Sequence, residues 1–148
     1  MSLKDDIKEA VKQAMRDKDS ARVTSLRMLS AAIQRREVDE RIQLDDVQTL
    51  AVIEKLIKQG KESIEQYEKG GRPELAEKEK ADIAIYQAYL PKQLSAEEVD
   101  AIIGEVVAAT GAASVKDMGK VMAALKPKLA GRADMGQVSA RIKTRLGG

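Results

Sequence analysis

Residues 45–74 read DDVQTLAVIEKLIKQGKESIEQYEKGGRPE, and this stretch decides the fold. Its apolar residues fall at Val47, Leu50, Ile53, Leu56, Ile57, Ile64 and Tyr67. Intervals of three and four residues lay one stripe along a helix and match no alternating strand pattern. Asp45 stands where its carboxylate caps the helix start by accepting a free backbone amide. Glu54/Lys58 and Glu65/Lys69 are four apart, the separation at which opposite charges support an exposed helical face. Gly70-Gly71 stops the helix. Pro73 then suits the first position of another, with Glu74 behind it to complement the dipole.

The same period runs outward in both directions. Upstream, Leu3, Ile7, Val11 and Ala14 form a stripe on a first helix that ends near Lys18. Asp19 or Ser20 caps a second, with Val23, Leu26, Leu29 and Ile33 inward and Arg35, Arg36 and Glu37 toward its end. Downstream, the helix opened by Pro73 buries Leu75, Ile83, Tyr86 and Leu90 until Pro91 ends it. Residues 89–95, YLPKQLS, read as a connector, and Ser95-Ala96-Glu97-Glu98 matches a capping box. Three short helices follow. The first, Ala96 to Ala109, carries Val99, Ile102, Ile103 and Val106 and closes at Gly111. The second opens at Ser114, carries Val115, Met118, Val121, Met122 and Leu125, and stops at Pro127. The third opens at Asp134 and carries Met135, Val138, Ile142 and Leu146. The expected architecture is all-α: an N-terminal four-helix bundle over residues 1–91, then a small C-terminal three-helix domain over residues 95–148.

Composition narrows the chemistry. Hydrophobic residues make up 43% of the 148, enough for packed cores, but only three are aromatic and all of those are Tyr. There is no Cys and no His, which removes the thiolate, the commonest general base and the commonest transition-metal ligand. No Gly-x-Ser-x-Gly elbow and no Gly-x-x-x-x-Gly-Lys-Ser/Thr loop is present. Ser20, Ser95 and Ser114 stand where helix caps belong. Asp45-Asp46 and Glu97-Glu98 are carboxylate pairs that a solvated helix start accounts for. No catalytic centre, resident metal or cofactor is expected. No run of about 18 apolar residues exists, and Met1 to Lys12 lacks the apolar centre of a signal peptide, so a cytosolic, cytoplasmic address is expected.

The formal net charge of +2 hides an asymmetry. Residues 111–148 hold eight cations (Lys116, Lys120, Lys126, Lys128, Arg132, Arg141, Lys143 and Arg145) against Asp117 and Asp134. The rest of the chain is net acidic. One reading is that these cations merely solubilise a small helical domain; the sharper one is a footprint for a polyanion. A membrane surface fits less well, because no Trp-, Phe- or Leu-rich amphipathic face lies beside the charge. Base stacking is not expected either, since Tyr67, Tyr86 and Tyr89 lie in the acidic part. Contact with nucleic acid is then to backbone and shape, as for folded RNA.

Two groups of residues carry a family resemblance. The first is Leu26-Arg27-Met28-Leu29-Ser30-Ala31-Ala32-Ile33, with Glu62-Ser63-Ile64-Glu65-Gln66-Tyr67, Gly70-Gly71-Arg72, Glu74-Leu75 and Tyr89-Leu90-Pro91. The second is Gly119-Lys120-Val121-Met122, Leu125-Lys126, Gly131-Arg132-Ala133-Asp134 and Val138. Together they resemble the GatB/YqeY family over nearly the whole chain. The resemblance implies a four-helix domain followed by a three-helix one, the pair that ends the B subunit of the tRNA-dependent amidotransferase acting on Asp-tRNA or Glu-tRNA. The same pair is appended to some glutaminyl-tRNA synthetases, and in both settings it contacts tRNA. Carbon–nitrogen ligase activity with glutamine as amide donor is implied for the whole amidotransferase. Releasing ammonia from glutamine takes a nucleophile activated by a base, and the residues here supply none.

The expected function is a tRNA-associated binding module. Its phosphate contacts are Lys120, Lys126, Lys128, Arg132, Arg141, Lys143 and Arg145. In Gly131-Arg132-Ala133-Asp134 the glycine supplies a left-handed turn and Asp134 a cap, which leaves Arg132 without a structural task. Gly119 costs a helix about 1 kcal/mol against Ala, and close approach of a second helix or of a phosphate backbone would each explain it. tRNA is the expected partner, with a protein of the aminoacylation or amidation machinery beside it. The alternative function is a protein-interaction adaptor working through the N-terminal bundle, and a third reading is a catalytic accessory in amide transfer.

Overall fold

The structure, a computed structural model, describes residues 2–147. Every regular element among them is helical: α1 (Leu3–Arg16), α2 (Ser20–Glu40), α3 (Asp46–Lys69), α4 (Pro73–Gln87), α5 (Ala96–Thr110), a 3-10 turn (Val115–Asp117), α6 (Met118–Leu129) and α7 (Met135–Gly147). The chain divides into two compact units, Met1–Leu90 and Pro91–Gly148.

Local chemistry explains most helix ends of the first unit. The Ser2 hydroxyl accepts the Asp5 amide at 3.2 Å, and that reciprocal cap holds the Asp5 carboxyl below its usual value. α1 stops at Arg16, short of Lys18, because Lys18 takes a left-handed backbone at φ 57° and turns the chain. Of the two caps open to α2, Asp19 is the one used, accepting the Arg22 amide at 3.1 Å. Asp45 and Gln48 form a reciprocal cap at 2.8 and 3.0 Å on α3. Gly71, at φ 70°, turns the chain beyond that helix. α4 ends at Gln87 rather than at Leu90: Tyr89 and Leu90 donate to the Tyr86 and Gln87 carbonyls in a tight turn. A residue before proline avoids the helical region, so Pro91 acts from further off than expected.

The core of this unit gathers Ile7, Leu29, Ile33, Ile53, Ile57 and Tyr86, all at most 6% exposed. Full burial of each apolar side chain contributes roughly 1.5–3 kcal/mol before entropy is subtracted. The buried face of α3 is rotated from the predicted stripe. Thr49, Val52, Ile53, Ile57 and Gly60 are buried, whereas Val47, Leu50, Leu56, Ile64 and Tyr67 are half-buried. Gly60 explains the rotation: a Cβ there would stand 3.0 Å from the Ile83 side chain, so α3 and α4 meet where α3 has no side chain. Buried polar groups are bonded. Thr49 Oγ1 donates to the Asp45 carbonyl at 2.8 Å, Ser25 donates to Asp82, and Tyr86 donates to the Ser25 carbonyl at 2.8 Å. Burial, with Asp82 and Glu79 nearby, pushes the Tyr86 phenol up to about 12.

In the second unit the Ser95/Glu98 capping box forms as expected, with both bonds at 3.1 Å, and Gly111 closes α5 at φ 67°. The next helix differs from expectation. The segment after Ser114 begins as a 3-10 turn, tightened by Asp117, whose carboxylate accepts the Ala113 amide at 2.9 Å. α6 then passes through Pro127 and ends at Leu129. A proline in the last turn removes one amide donor, while Leu129, fully buried, anchors the turn in the core with Val121, Leu125, Ile103, Val138 and Ile142. Val115 is 39% exposed and lies outside that core.

Candidate polyanion-binding surface

The candidate cations stand on α6, on α7 and on the loop between them. Lys120, Lys126 and Lys128 are all exposed on α6. Successive residues of an α-helix step by about 100°, so Lys126 and Lys128 point about 160° apart, on either side of the inward row Val121, Leu125 and Leu129. Lys120 lies opposite that row. The lysines of α6 therefore surround its exposed surface instead of forming one stripe. Lys126 and Lys128, in the last turn, also complement the negative end of the helix dipole.

The loop is built around Arg132. Gly131 adopts the left-handed conformation at φ 72°, and Asp134 caps α7 by accepting the Gly136 amide at 2.8 Å, both as the sequence predicts. Arg132 has a structural task that the sequence reading did not assign: Nη1 donates to the Lys128 carbonyl at 3.3 Å, at the end of α6. Its backbone amide donates to the Leu129 carbonyl at 2.9 Å, and its carbonyl accepts the Leu94 amide at 2.9 Å. Gln93 donates to the Gly131 carbonyl, so the segment after Pro91 straps the loop on two bonds.

Lys92 belongs to this cluster, and the sequence reading missed it. Glu98 is held below the usual carboxylate range by the Ser95 amide and hydroxyl first, and then by the positive charges of Lys92 and Arg132. Both cations thus lie within electrostatic reach of one carboxylate. The available signal is a lysine directly after Pro91, separated along the chain from the basic segment of residues 111–148.

On α7, Arg141 and Arg145 share a face four residues apart, and Lys143 points the other way. Arg141 Nη1 donates to both oxygens of Asp100 on α5, at 2.9 and 2.8 Å. This pair departs from the expectation of a free phosphate contact, because that donor already serves a carboxylate. Arg145 lies across α5 at Gly104, where an added Cβ would come within 2.9 Å of Nη2. Gly119 has no atom within 4 Å of an added Cβ, so no second helix approaches it. The structure thus brings together Lys128, Arg132 and Lys92 at the end of α6, and Arg141 with Arg145 along α5. Lys126 and Lys143 point to other sides of their helices, and Lys120 stands in the first turn of α6, at the other end from Lys128.

Ion pairing differs between the units. Residues 2–90 hold pairs such as Lys4–Glu37 at 2.6 Å, Arg36–Glu40 at 2.6 Å and Lys69–Glu65 at 3.0 Å. Among the described residues of the second unit, Arg141–Asp100 is the one ion pair.

Comparison with known proteins follows the fold. A 35% identical relative from Eremothecium gossypii is named altered inheritance of mitochondria protein 41, mitochondrial, and matches 113 residues, 72% of this chain and 62% of its own length. The protein of that name from Kluyveromyces lactis is 38% identical over 105 residues, 68% of this chain and 56% of its own. The one from Lachancea thermotolerans is 35% identical over 104 residues, 68% of this chain and 56% of its own. The chain therefore spans about three-fifths of the length of these relatives. Their names overturn the cytoplasmic address expected from the N-terminus, since each is called mitochondrial. The apolar pattern of residues 1–12 was a poor guide to address, because organelle transit segments are amphipathic and Arg-rich rather than apolar. Among the described residues no helix is long and apolar enough to cross a membrane. The profile of the family described as Yqey-like protein matches residues 4–146, and on that match the chain belongs to the YqeY-like family.

Proposed function

We propose that the chain is a tRNA-associated binding module whose second unit contacts the phosphates of folded RNA without reading base sequence. One observation carries this reading: all the cations of residues 91–147 except Arg141 lack an ion pair among the described residues. Lys120, Lys126, Lys128, Lys143 and Arg145 are exposed, and Arg132 is half-buried. Cations held in no close ion pair on a small domain add positive potential that a polyanion neutralises with release of counterions. Phosphate contact from several directions around α6 suits a bent, folded RNA better than a straight groove. On this reading the labour divides between a four-helix bundle of residues 1–91 and a three-helix basic domain of residues 95–148. Amide transfer stays with the remainder of the amidotransferase that the family resemblance evokes.

The test is binding of bulk tRNA to nuclease-treated, purified chain, titrated with salt. The logarithm of affinity should fall by roughly 0.7–0.9 per phosphate contact for each tenfold rise in salt. Charge reversal at Lys126 and Arg132 should weaken binding to every tRNA species alike. Affinity that ignores both salt and those reversals would remove the proposal.

A further inference from the structure

α2 carries two stripes of packing residues, and the core of the first unit uses one of them. Leu26, Leu29 and Ile33 face inward and are at most 5% exposed. On the opposite side stand Ala21, Thr24, Met28, Ala31, Arg35 and Val38, every one of them exposed. They follow each other at alternating steps of three and four residues, the spacing at which one helix packs along another. Met28 is 54% and Val38 68% exposed, the two highest values among the exposed large hydrophobics of the described residues. Isolated exposed apolar residues need no explanation; two on one regular stripe, with Ala31 and Arg35 between them and Ala21 and Thr24 before them, form a pattern.

We propose that this face of α2 packs against the same face of a second copy of the chain, antiparallel, about a two-fold axis between Met28 and Ala31. The stripe is complementary to its own reverse. Centred on that axis, Met28 meets Ala31 of the second copy, Val38 meets Ala21, and Arg35 meets Thr24. Each layer then sets a large side chain against a small one, as interlocking helices require. The flanks agree. Arg27 comes beside Gln34 of the second copy, and Asp39 comes to its α1–α2 turn, where Lys18 is exposed. Thr24 Oγ1 donates to the Ser20 carbonyl at 3.0 Å, which leaves its lone pairs to accept from the Arg35 opposite. A parallel pairing fails on both counts: it sets Arg35 against Arg35 and leaves Ala31 facing Ala31 across a gap. The two-fold axis makes every favourable contact twice.

Sedimentation velocity on the nuclease-treated full chain, from micromolar to several hundred micromolar, tests this directly. The expected result is a concentration-dependent shift from monomer to dimer. Met28→Glu should raise the dimer dissociation constant by ~10-fold or more, with unchanged helix content by circular dichroism because the position is exposed. Asp39→Lys and Lys18→Asp should each weaken association by about threefold, and the two together should restore it. A chain that is monomeric throughout the range overturns the proposal, as does a dimer indifferent to Met28→Glu. Dissociation by Met28→Glu without rescue by the exchanged pair overturns the antiparallel register.

Discussion

Arg141 and Asp100 tie α7 to α5: one guanidinium nitrogen reaches both carboxylate oxygens at 2.9 and 2.8 Å. Four residues further along each helix, Arg145 lies over Gly104. The numbers ascend together, so the two helices run parallel, with an ion pair on one rung and a cation over bare backbone on the next.

This pairing separates two arginines that look alike in the sequence. Arg141→Ala is expected to change tRNA affinity less than twofold and to cost at most about 1 kcal/mol of stability, since both partners are substantially exposed. Asp100→Asn should act the other way, freeing Arg141 and steepening the salt dependence by about one phosphate contact. Chemical denaturation read beside tRNA titration distinguishes these outcomes from an Arg141 that already contacts RNA.

Gly104 governs where the Arg145 guanidinium rests. Gly104→Ala should displace it, because the new methyl would stand 2.9 Å from Nη2. Helix propensity alone favours alanine by about 1 kcal/mol, so stability should hold or rise while tRNA affinity falls about as far as it does in Arg145→Gln. A double variant no weaker than either single one would show that the glycine acts through the arginine.

Gly119 makes an opposite case. It is exposed in the first turn of α6, with open space where a Cβ would go. Gly119→Ala should therefore stabilise the chain by up to about 1 kcal/mol, read as a rise in Tm. A loss of tRNA binding in that more stable variant would mark Gly119 as a point of close phosphate approach.

Two carboxylates of the first unit should respond to acid with opposite sign. Lys4, donating at 2.6 Å, and the Leu44 amide, donating at 2.8 Å, hold Glu37 below its ordinary 4.5. A lowered folded value means that Glu37 supports the fold above the carboxylate range and loses that support as pH falls through it. Burial, then the charge of Asp82, raises Glu79 above 4.5. The folded chain keeps that proton to higher pH than the unfolded chain, so the contribution of Glu79 declines as pH rises. Glu37→Gln should thus lower Tm at neutral pH, and Glu79→Gln should raise it. Both differences should vanish under acid, and a Tm series from pH 3 to pH 7 would expose any error of sign.

The helices were legible because their signals are local. Asp45, Ser95 and Asp134 cap the positions predicted for them, Gly131 takes the left-handed turn expected, and Gly111 closes its helix as expected. Such contacts span a few residues, so they are written in short stretches of chain. Pro127 was misread for the same reason: its local effect is to stop a helix, and burial of Leu129 by residues from α5 and α7 outweighs it.

The charge surplus of residues 111–148 can be read off the chain, and so can the absence of Cys and His. Which cations are free cannot. Asp100 neutralises Arg141 from 41 positions away, and Lys92 joins Arg132 beside Glu98 from outside the basic segment. Caps and periodicity depend on neighbours along the backbone, whereas electrostatic partnership depends on distance in space, and packing sets that distance.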